Sequence, residues 1–239
     1  MIRFDIVTGF PKMLRGPFTE SIIRQAKKKK LAQVRLHDLR KFTHDKHKTI
    51  DDTPYGGGAG MVLKPEPIFE CVELLQTQRL YDEVIYVTAD GERFDQQMAN
   101  QLSLKQNLLI ICGHYKGIDE RVRERLVTKE ISVGDYVLTG GEIAAIILVD
   151  AIVRLVPGVL GDAESLLSDS FQENLVGSPY YTRPPVFRDM NVPDVLLSGN
   201  HKKIEEWRRT ERVKRTQLRR KDLFTKGNQP PGTSERREL

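Results

Sequence analysis

The chain has 239 residues, 39% of them hydrophobic, and a formal net charge of +5, which suits one large domain or one domain with a small appendage. Its two cysteines, Cys71 and Cys112, stand in apolar surroundings, which predicts buried thiols, excludes a disulfide framework and favours a cytoplasmic location. The longest apolar stretch, Ile143 to Val156, contains Asp150 and Arg154 and is too short to span a bilayer, so we expect no membrane association.

The positive charge is concentrated near the C-terminus. Residues 202–226 contain eleven Lys or Arg and four Asp or Glu, a net charge of +7. The last thirteen residues balance, so residues 1–201 carry a net charge of −2. A near-neutral body with a basic segment is typical of a protein that holds a polyanion. A solvated charged helix would have the same composition, and the segment alone leaves both interpretations open.

Strand-like and helix-like segments alternate in the first half of the chain. Residues 2–8 and 33–36 predict strands, and between them Thr19 is expected to cap a helix that ends in the basic run 27–30. Residues 43–60 form a polar, glycine-rich loop. The continuous apolar runs that follow are typical of strands covered on both faces, and they occupy residues 84–88 and 108–112.

Four helices accompany these later strands. Three are expected to begin at Pro67, Asp95 and Asp119, where Pro favours a first turn and Asp favours an N-cap. The fourth is the apolar segment Glu142 to Val156, which ends at Pro157-Gly158. This alternation predicts an α/β fold with a mainly parallel sheet.

The pattern changes after residue 160, and we therefore predict three parts. Residues 1–160 form the α/β domain, and the small, polar residues 161–175 form a flexible linker. Residues 176–239 form a small helical domain, with one helix from about residue 201 to 220 and a disordered tail from residue 227.

Three glycine-bearing loops follow strand-like runs in the first domain, and they cover residues 88–91, 113–117 and 133–141. Loops at the carboxyl ends of parallel strands meet at one edge of a sheet, and glycine lets the backbone approach a ligand closely. The loops therefore predict a pocket built largely from main-chain groups, although the glycines could also be ordinary turn residues. The chain has neither a Walker motif nor a G-x-G-x-x-G fingerprint, so nothing supports triphosphate or dinucleotide chemistry.

Several polar residues have a functional and a plainer interpretation. The set His44, Asp45, His47, Asp51 and Asp52 could suggest a metal, but its spacing matches no common zinc pattern, which favours a solvated or substrate-facing loop.

The same holds for three residues later in the chain. Arg154 could form an ion pair with Asp150, and Asp169 could be an N-cap. Trp207, among arginines, could stack on a nucleobase, although a packed tryptophan fits equally well.

Eight motifs, in this order, carry a resemblance to a known family. They are THDKHKTIDD (43–52), PYGGGAGM (54–61), GHYKGIDER (113–121), GDYVLTGGE (134–142), PGVLG (157–161), DSF (169–171), YTRP (181–184) and VLLSGNH (195–201). Together they resemble the bacterial tRNA (guanine-N1)-methyltransferases of the TrmD family. The likeness runs from the first strand to about residue 225.

The resemblance implies a SPOUT-type fold with a deep trefoil knot, and a homodimer with the active site between its subunits. It implies tRNA as the substrate, methylated at N1 of the guanine immediately 3′ of the anticodon when another guanine precedes it. S-adenosylmethionine and magnesium are the implied cofactors. The methyl donor would contact the glycine loops at Tyr86, Val87, Thr88, Gly91, Gly113, Tyr115, Gly117, Ile131, Ser132, Val133, Gly134, Tyr136, Leu138, Gly140 and Gly141.

The resemblance also gives two residues catalytic roles. Asp169 of the partner subunit would be the base that takes the N1 proton, and Arg154 would stabilise the charge that develops on O6. One position departs from the family pattern, because Lys116 stands where an acidic residue is expected. Two other functions are weighed against this one: an RNA-binding protein without catalysis, and an unrelated nucleotide-using α/β enzyme.

Overall fold

The computed structural model describes residues 1–160, 169–171 and 173–224. The chain divides into two units, Met1–Gly161 and Asp162–Leu239. The first eight residues of the predicted linker lie outside the described residues, as does the whole of the tail predicted to be disordered. None of the helices within the described ranges is long and apolar enough to cross a membrane.

A parallel sheet forms the centre of the first unit. The strands of this unit are, in chain order, β1 (Ile2–Thr8), β2 (Ala32–Asp38), β3 (Asp51–Asp52), β4 (Val62–Leu63), β5 (Glu83–Arg93), β6 (Asn107–Cys112) and β7 (Lys129–Ser132). Five of them form the sheet in the order β2-β1-β6-β5-β7, with every neighbouring pair parallel, and β3 and β4 form a short antiparallel ribbon. The predicted α/β fold with a mainly parallel sheet is confirmed.

Six helices belong to this unit, namely α1 (Pro11–Arg15), α2 (Ser21–Lys28), α3 (Pro65–Gln78), α4 (Gln96–Ser103), α5 (Glu120–Leu126) and α6 (Gly141–Val153). Successive side chains of a strand point to opposite faces, and the core divides accordingly. Ile110 of β6 packs with residues of α2, α4 and α6, whereas its neighbour Ile111 packs with residues of α3 and α5. Both faces of the sheet are thus covered, which explains the continuous apolar runs of β5 and β6.

The helix starts follow local capping chemistry. Asp95 accepts a 2.8 Å hydrogen bond from the Met98 amide, and Asp119 accepts one of 3.0 Å from the Arg121 amide, so both predicted N-caps are confirmed. The prediction for Thr19 is wrong. Its hydroxyl donates to the Gly16 carbonyl at 2.8 Å inside a 3-10 turn, because a proline begins that turn before α2 starts at Ser21.

The described residues of the second unit form helices and one hairpin. Their elements are β8 (Val186–Phe187), β9 (Met190–Asn191), α7 (Asp194–Leu197), α8 (His201–Arg219) and a 3-10 turn at Lys221–Leu223. Asn200 caps α8 by accepting a 3.2 Å hydrogen bond from the Lys203 amide. The buried Thr216 hydroxyl accepts a 3.0 Å hydrogen bond from the Val176 amide, so α8 holds the chain that precedes the hairpin.

Candidate functional site

The carboxyl ends of β5, β6 and β7 meet at one edge of the sheet and form a cavity there. Fourteen of the fifteen residues predicted to contact the methyl donor line it: Tyr86, Val87, Thr88, Gly113, Tyr115, Gly117, Ile131, Ser132, Val133, Gly134, Tyr136, Leu138, Gly140 and Gly141. Parallel strands explain the convergence, since their carboxyl ends lie at the same edge.

The first loop interrupts the pairing of strand β5 with strand β7. The pairing of β5 with β7 shifts register between Val87 and Glu92, and Thr88 lies in the cavity wall. Asp90 at the tip accepts a hydrogen bond from Thr88 and a 2.9 Å bond from Arg123 Nη2, and these contacts lower the pKa of the Asp90 carboxyl. Arg123 also holds Glu130 of β7 with bonds of 2.7 and 2.8 Å, so the loop is tied to α5 and β7.

Gly91 is the exception among the fifteen residues, because it is not one of the residues that line this cavity. A Cβ at Gly91 would lie 2.6 Å from the Glu130 carbonyl carbon and 2.6 Å from the Ile131 nitrogen. A side chain would therefore push β5 away from β7. Gly91 therefore lies where the backbones of β5 and β7 come close together, and it lets the two strands pair again after the loop.

The second loop, residues 113–117, is held from two sides. On one side, the Gly141 amide donates to the Gly113 carbonyl at 2.7 Å, which joins the loop to the start of α6. On the other, the Leu63 amide donates to the Gly117 carbonyl at 3.0 Å, and the Lys116 amide donates to the Met61 carbonyl at 3.0 Å. The glycine-rich segment that ends at residue 60 is thereby joined to the cavity's second loop.

Exposed rings stand over this backbone-rich wall. Tyr115 adopts a positive φ of 59°, and its side chain is half exposed, as is that of Tyr136 in the third loop. The Tyr136 hydroxyl donates to the Val133 carbonyl at 3.1 Å. Leu138 adds an exposed aliphatic surface. These side chains offer flat, apolar surfaces beside main-chain polar groups, a combination suited to a purine-containing ligand.

Sequence reasoning missed six lining residues, which are Ala89, His114, Lys116, Val137, Thr139 and Ala144. Five of them lie within the predicted loops, and Ala144 lies in the first turn of α6. Their position next to the predicted residues in the sequence could have identified them. Among the described residues that line this cavity, Lys116 is the only Lys, Arg, Asp or Glu. Its aliphatic chain runs beside Gly60, where an added Cβ would lie 3.0 Å from Lys116 Cγ.

The two predicted catalytic residues lie in different units. Arg154 follows the last residue of α6, where its amide donates to the Asp150 carbonyl at 3.3 Å and its side chain is partly buried. Asp169 belongs to the second unit and is also partly buried. Both remain predictions as catalytic groups.

The loop residues that could suggest a metal have other partners. His44 Nε2 lies 2.8 Å from Glu70 Oε1, and Asp45 accepts two hydrogen bonds from the Thr49 amide at 2.8 Å. Within residues 1–160, 169–171 and 173–224, no group of three or more His, Cys, Asp or Glu is arranged to hold a metal ion. These residues therefore do not fit a protein-built magnesium site.

A parallel sheet covered on both faces, with a main-chain-rich cavity at the carboxyl ends of its strands, defines an α/β protein whose cavity has the position and make-up of a small-ligand site. The family model described as tRNA (Guanine-1)-methyltransferase TrmD matches residues 2–226. The chain belongs to this family, which confirms the resemblance and the predicted class of enzyme.

Curated relatives agree with the family model. A tRNA (guanine-N(1)-)-methyltransferase of Bacteroides thetaiotaomicron is 55% identical over 223 residues, which are 93% of this chain and 99% of the relative. A protein of the same name from Dictyoglomus turgidum is 54% identical over 226 residues, which are 95% of this chain and 91% of the relative. Another, from Chlorobium chlorochromatii, is 53% identical over 223 residues, which are 93% of this chain and 96% of the relative.

Proposed function

We propose that the protein methylates N1 of the guanine immediately 3′ of the anticodon, tRNA position 37, in tRNAs in which another guanine precedes it. The methyl donor is S-adenosylmethionine, bound among the three loops. The observation that carries the proposal is the cavity itself, because fourteen residues expected to contact the donor line one space. Membership of the family supports the choice of tRNA guanine as the acceptor.

The residues of the cavity fit such a donor. Half-exposed tyrosine rings flank a wall of main-chain groups, which suits an adenine ring and a ribose. When bound, S-adenosylmethionine supplies a methyl carbon on a positively charged sulfonium sulfur, which leaves as a neutral thioether.

Asp169 accepts the proton in the proposed reaction. N1 of guanine carries a proton and is a poor nucleophile near neutral pH, so the proton must leave as N1 attacks the methyl carbon. A carboxylate within hydrogen-bond reach can accept it, and such a base contributes about 10² to 10⁴ in rate.

Arg154 stabilises the charge that follows. Removal of the N1 proton places negative charge on the guanine O6, and a fixed guanidinium donates hydrogen bonds to an oxygen more directionally than a lysine ammonium. Its place at the end of the buried helix α6 restricts the backbone that carries it.

We propose a homodimer in which Asp169 of one subunit serves the cavity of the other. Support comes from α6, an apolar helix that keeps Ile143 and Ile147, one turn apart, about 40% exposed. The third loop adds the exposed Val137 and Leu138. Isoleucine side chains one turn apart are normally buried on such an apolar helix, and a second copy of the chain would cover this strip.

Two further features belong to the proposal. The SPOUT-type trefoil knot is proposed from family membership, with the cavity loops as its threaded segment. The basic helix α8 is proposed to hold the tRNA backbone, and a cytoplasmic location follows from the proposed substrate.

The test is methylation of an unmodified tRNA transcript with S-adenosylmethionine, followed by mass mapping of the added methyl group. We expect it on N1 of guanine 37, and none on a transcript with adenine at that position. Donor binding by calorimetry without any transfer would indicate the RNA-binding protein instead. Binding of a different nucleotide, with no affinity for S-adenosylmethionine, would indicate the unrelated enzyme.

A further inference from the structure

A buried carboxylate stands directly behind the cavity wall. Glu142 is the second residue of α6, follows the lining residue Gly141, and is 1% exposed. Its Oε1 accepts a 2.6 Å hydrogen bond from the Thr8 hydroxyl, which in turn accepts one of 2.8 Å from the Phe10 amide. One carboxylate oxygen is therefore fixed to the end of β1.

The other carboxylate oxygen faces an unpaired nitrogen. Glu142 Oε2 and His114 Nδ1 are both buried atoms without a hydrogen-bond partner among the described residues, and they lie 3.8 Å apart. The His114 ring belongs to the cavity wall and is held by Phe10 and Tyr115, with ring centroids at 4.4 and 4.6 Å. Buried polar atoms nearly always have partners, and this gap is only about 1 Å longer than a hydrogen bond.

The backbone couples the loops that carry this pair. His114 and Gly140 form an antiparallel bridge, and the Gly141 amide donates to the Gly113 carbonyl at 2.7 Å. A Cβ at Gly140 would lie 2.5 Å from Glu142 Oε2 and would also collide with His114 Nδ1. The glycine therefore keeps the gap between the two side chains open.

A second group responds to the carboxylate. Burial raises the pKa of the Cys112 thiol at the end of β6, and the Glu142 charge raises it further. Glu142 is therefore close enough to influence the base of the second loop.

We propose that Glu142 is a positioning residue for methyl transfer, which binds His114 Nδ1 when the cavity is filled and so fixes the loop that carries Tyr115 and Lys116. The inference rests on the proposed function, because the ligand is the methyl donor. A ligand that contacts the second and third loops draws them together, and a movement of about 1 Å closes the contact. Glu142 Oε2 and His114 Nδ1 then form a hydrogen bond with each other.

The first experiment measures the ring nitrogens of His114 by NMR in the wild-type protein. S-adenosylhomocysteine, the demethylated donor, is the probe, and a His114→Gln variant assigns the signals. We expect the Nδ1 resonance to move to that of a hydrogen-bonded nitrogen at saturation. A resonance that stays in place at saturation overturns the inference, and this measurement does not depend on the folding of any Glu142 variant.

The second experiment removes the charge. We expect Glu142→Gln to weaken S-adenosylhomocysteine binding about tenfold, as the loss of a hydrogen bond to a charged group does, and to abolish the movement of the His114 signal. The matched control is Glu66→Gln, since Glu66 is also the second residue of its helix but is exposed, and its binding should stay within about twofold. Equal binding by wild type and Glu142→Gln would contradict the inference alone. Absence of binding by the wild type would overturn the proposed function as well.

Discussion

Asp5, on the interior strand β1, is a fully buried carboxylate with three side-chain partners. Arg3 Nε donates to it at 2.6 Å, His37 Nε2 lies at 2.7 Å, and the Tyr81 hydroxyl donates at 2.9 Å. Burial alone would raise the pKa of Asp5, but the hydrogen bonds from His37, Arg3 and Tyr81 together outweigh it and hold the pKa far below its usual value.

Asp5→Asn should therefore destabilise the protein in a pH-dependent way. A depressed carboxyl pKa stabilises the folded state fully above the unfolded pKa of about 4. This contribution declines below that pH and is lost as the pH falls through the much lower folded pKa, so the loss at pH 3 should be smaller than at pH 7. We expect the substitution to lower the free energy of unfolding by about 3 kcal/mol at pH 7, because it leaves buried partners unpaired. Urea unfolding at pH 7 and pH 3 measures the change, with the exposed Asp135→Asn as the control. The same loss at both pH values would contradict the argument.

Asp169→Asn tests the proposed base. The amide has nearly the same shape but cannot accept the N1 proton, so single-turnover methylation should slow at least about 100-fold. Affinity for S-adenosylhomocysteine should stay within about twofold of wild type. Asp189→Asn is the matched control, because Asp189 is an exposed aspartate of the same unit whose φ of 60° suits asparagine. A variant that keeps most of the wild-type rate would remove Asp169 from the mechanism.

Among the elements, α8 carries the positive charge that the sequence places near the C-terminus. Arg208 and Arg219 are exposed on one side of this helix, whereas Arg215 is partly buried with an unpaired Nε among the described residues. Substitution of Arg215 would therefore disturb packing as well as charge, and the two exposed arginines give the cleaner test.

We expect Arg208→Gln with Arg219→Gln to weaken tRNA binding and to flatten its salt dependence. Each lost phosphate contact should reduce the slope of log K against log salt by roughly 0.7 to 0.9. Filter binding at several salt concentrations between about 50 and 200 mM measures this slope. The control is Lys28→Gln with Lys30→Gln, two exposed lysines of the first unit. An unchanged slope in the α8 variant would exclude the helix from the RNA interface.

The elements also show what a sequence can predict. Continuous apolar runs located β5 and β6, since burial on both faces leaves a clear compositional mark. The hairpin of β8 and β9 was missed, because its turn places Arg188 and Asp189 at positive φ without the usual glycine. The loops of the cavity were predictable from strand order, whereas the inward position of His114 and the supporting role of Gly91 depend on packing against β7 and α6.

At the scale of the whole molecule, the proposed homodimer requires two chains to share one reaction. Ile143 and Ile147 leave an apolar strip on a helix whose other sides are buried, which favours a dimer. Both subunits of a homodimer have the same sequence, so an Asp169 from the same chain and an Asp169 from the partner would carry the same residue number. Only an experiment that marks the two copies separately can distinguish them.

Mixed dimers provide that distinction. If Arg154 and Asp169 of different subunits form each site, mixing equal amounts of Asp169→Asn and Arg154→Ala chains should restore about a quarter of wild-type methylation, since half of the dimers are mixed and each has one intact site. Wild type mixed with a chain that carries both substitutions is the control, and it should also give about a quarter, because only wild-type dimers are active. Sites within one chain would give no activity in the first mixture and about half in the second.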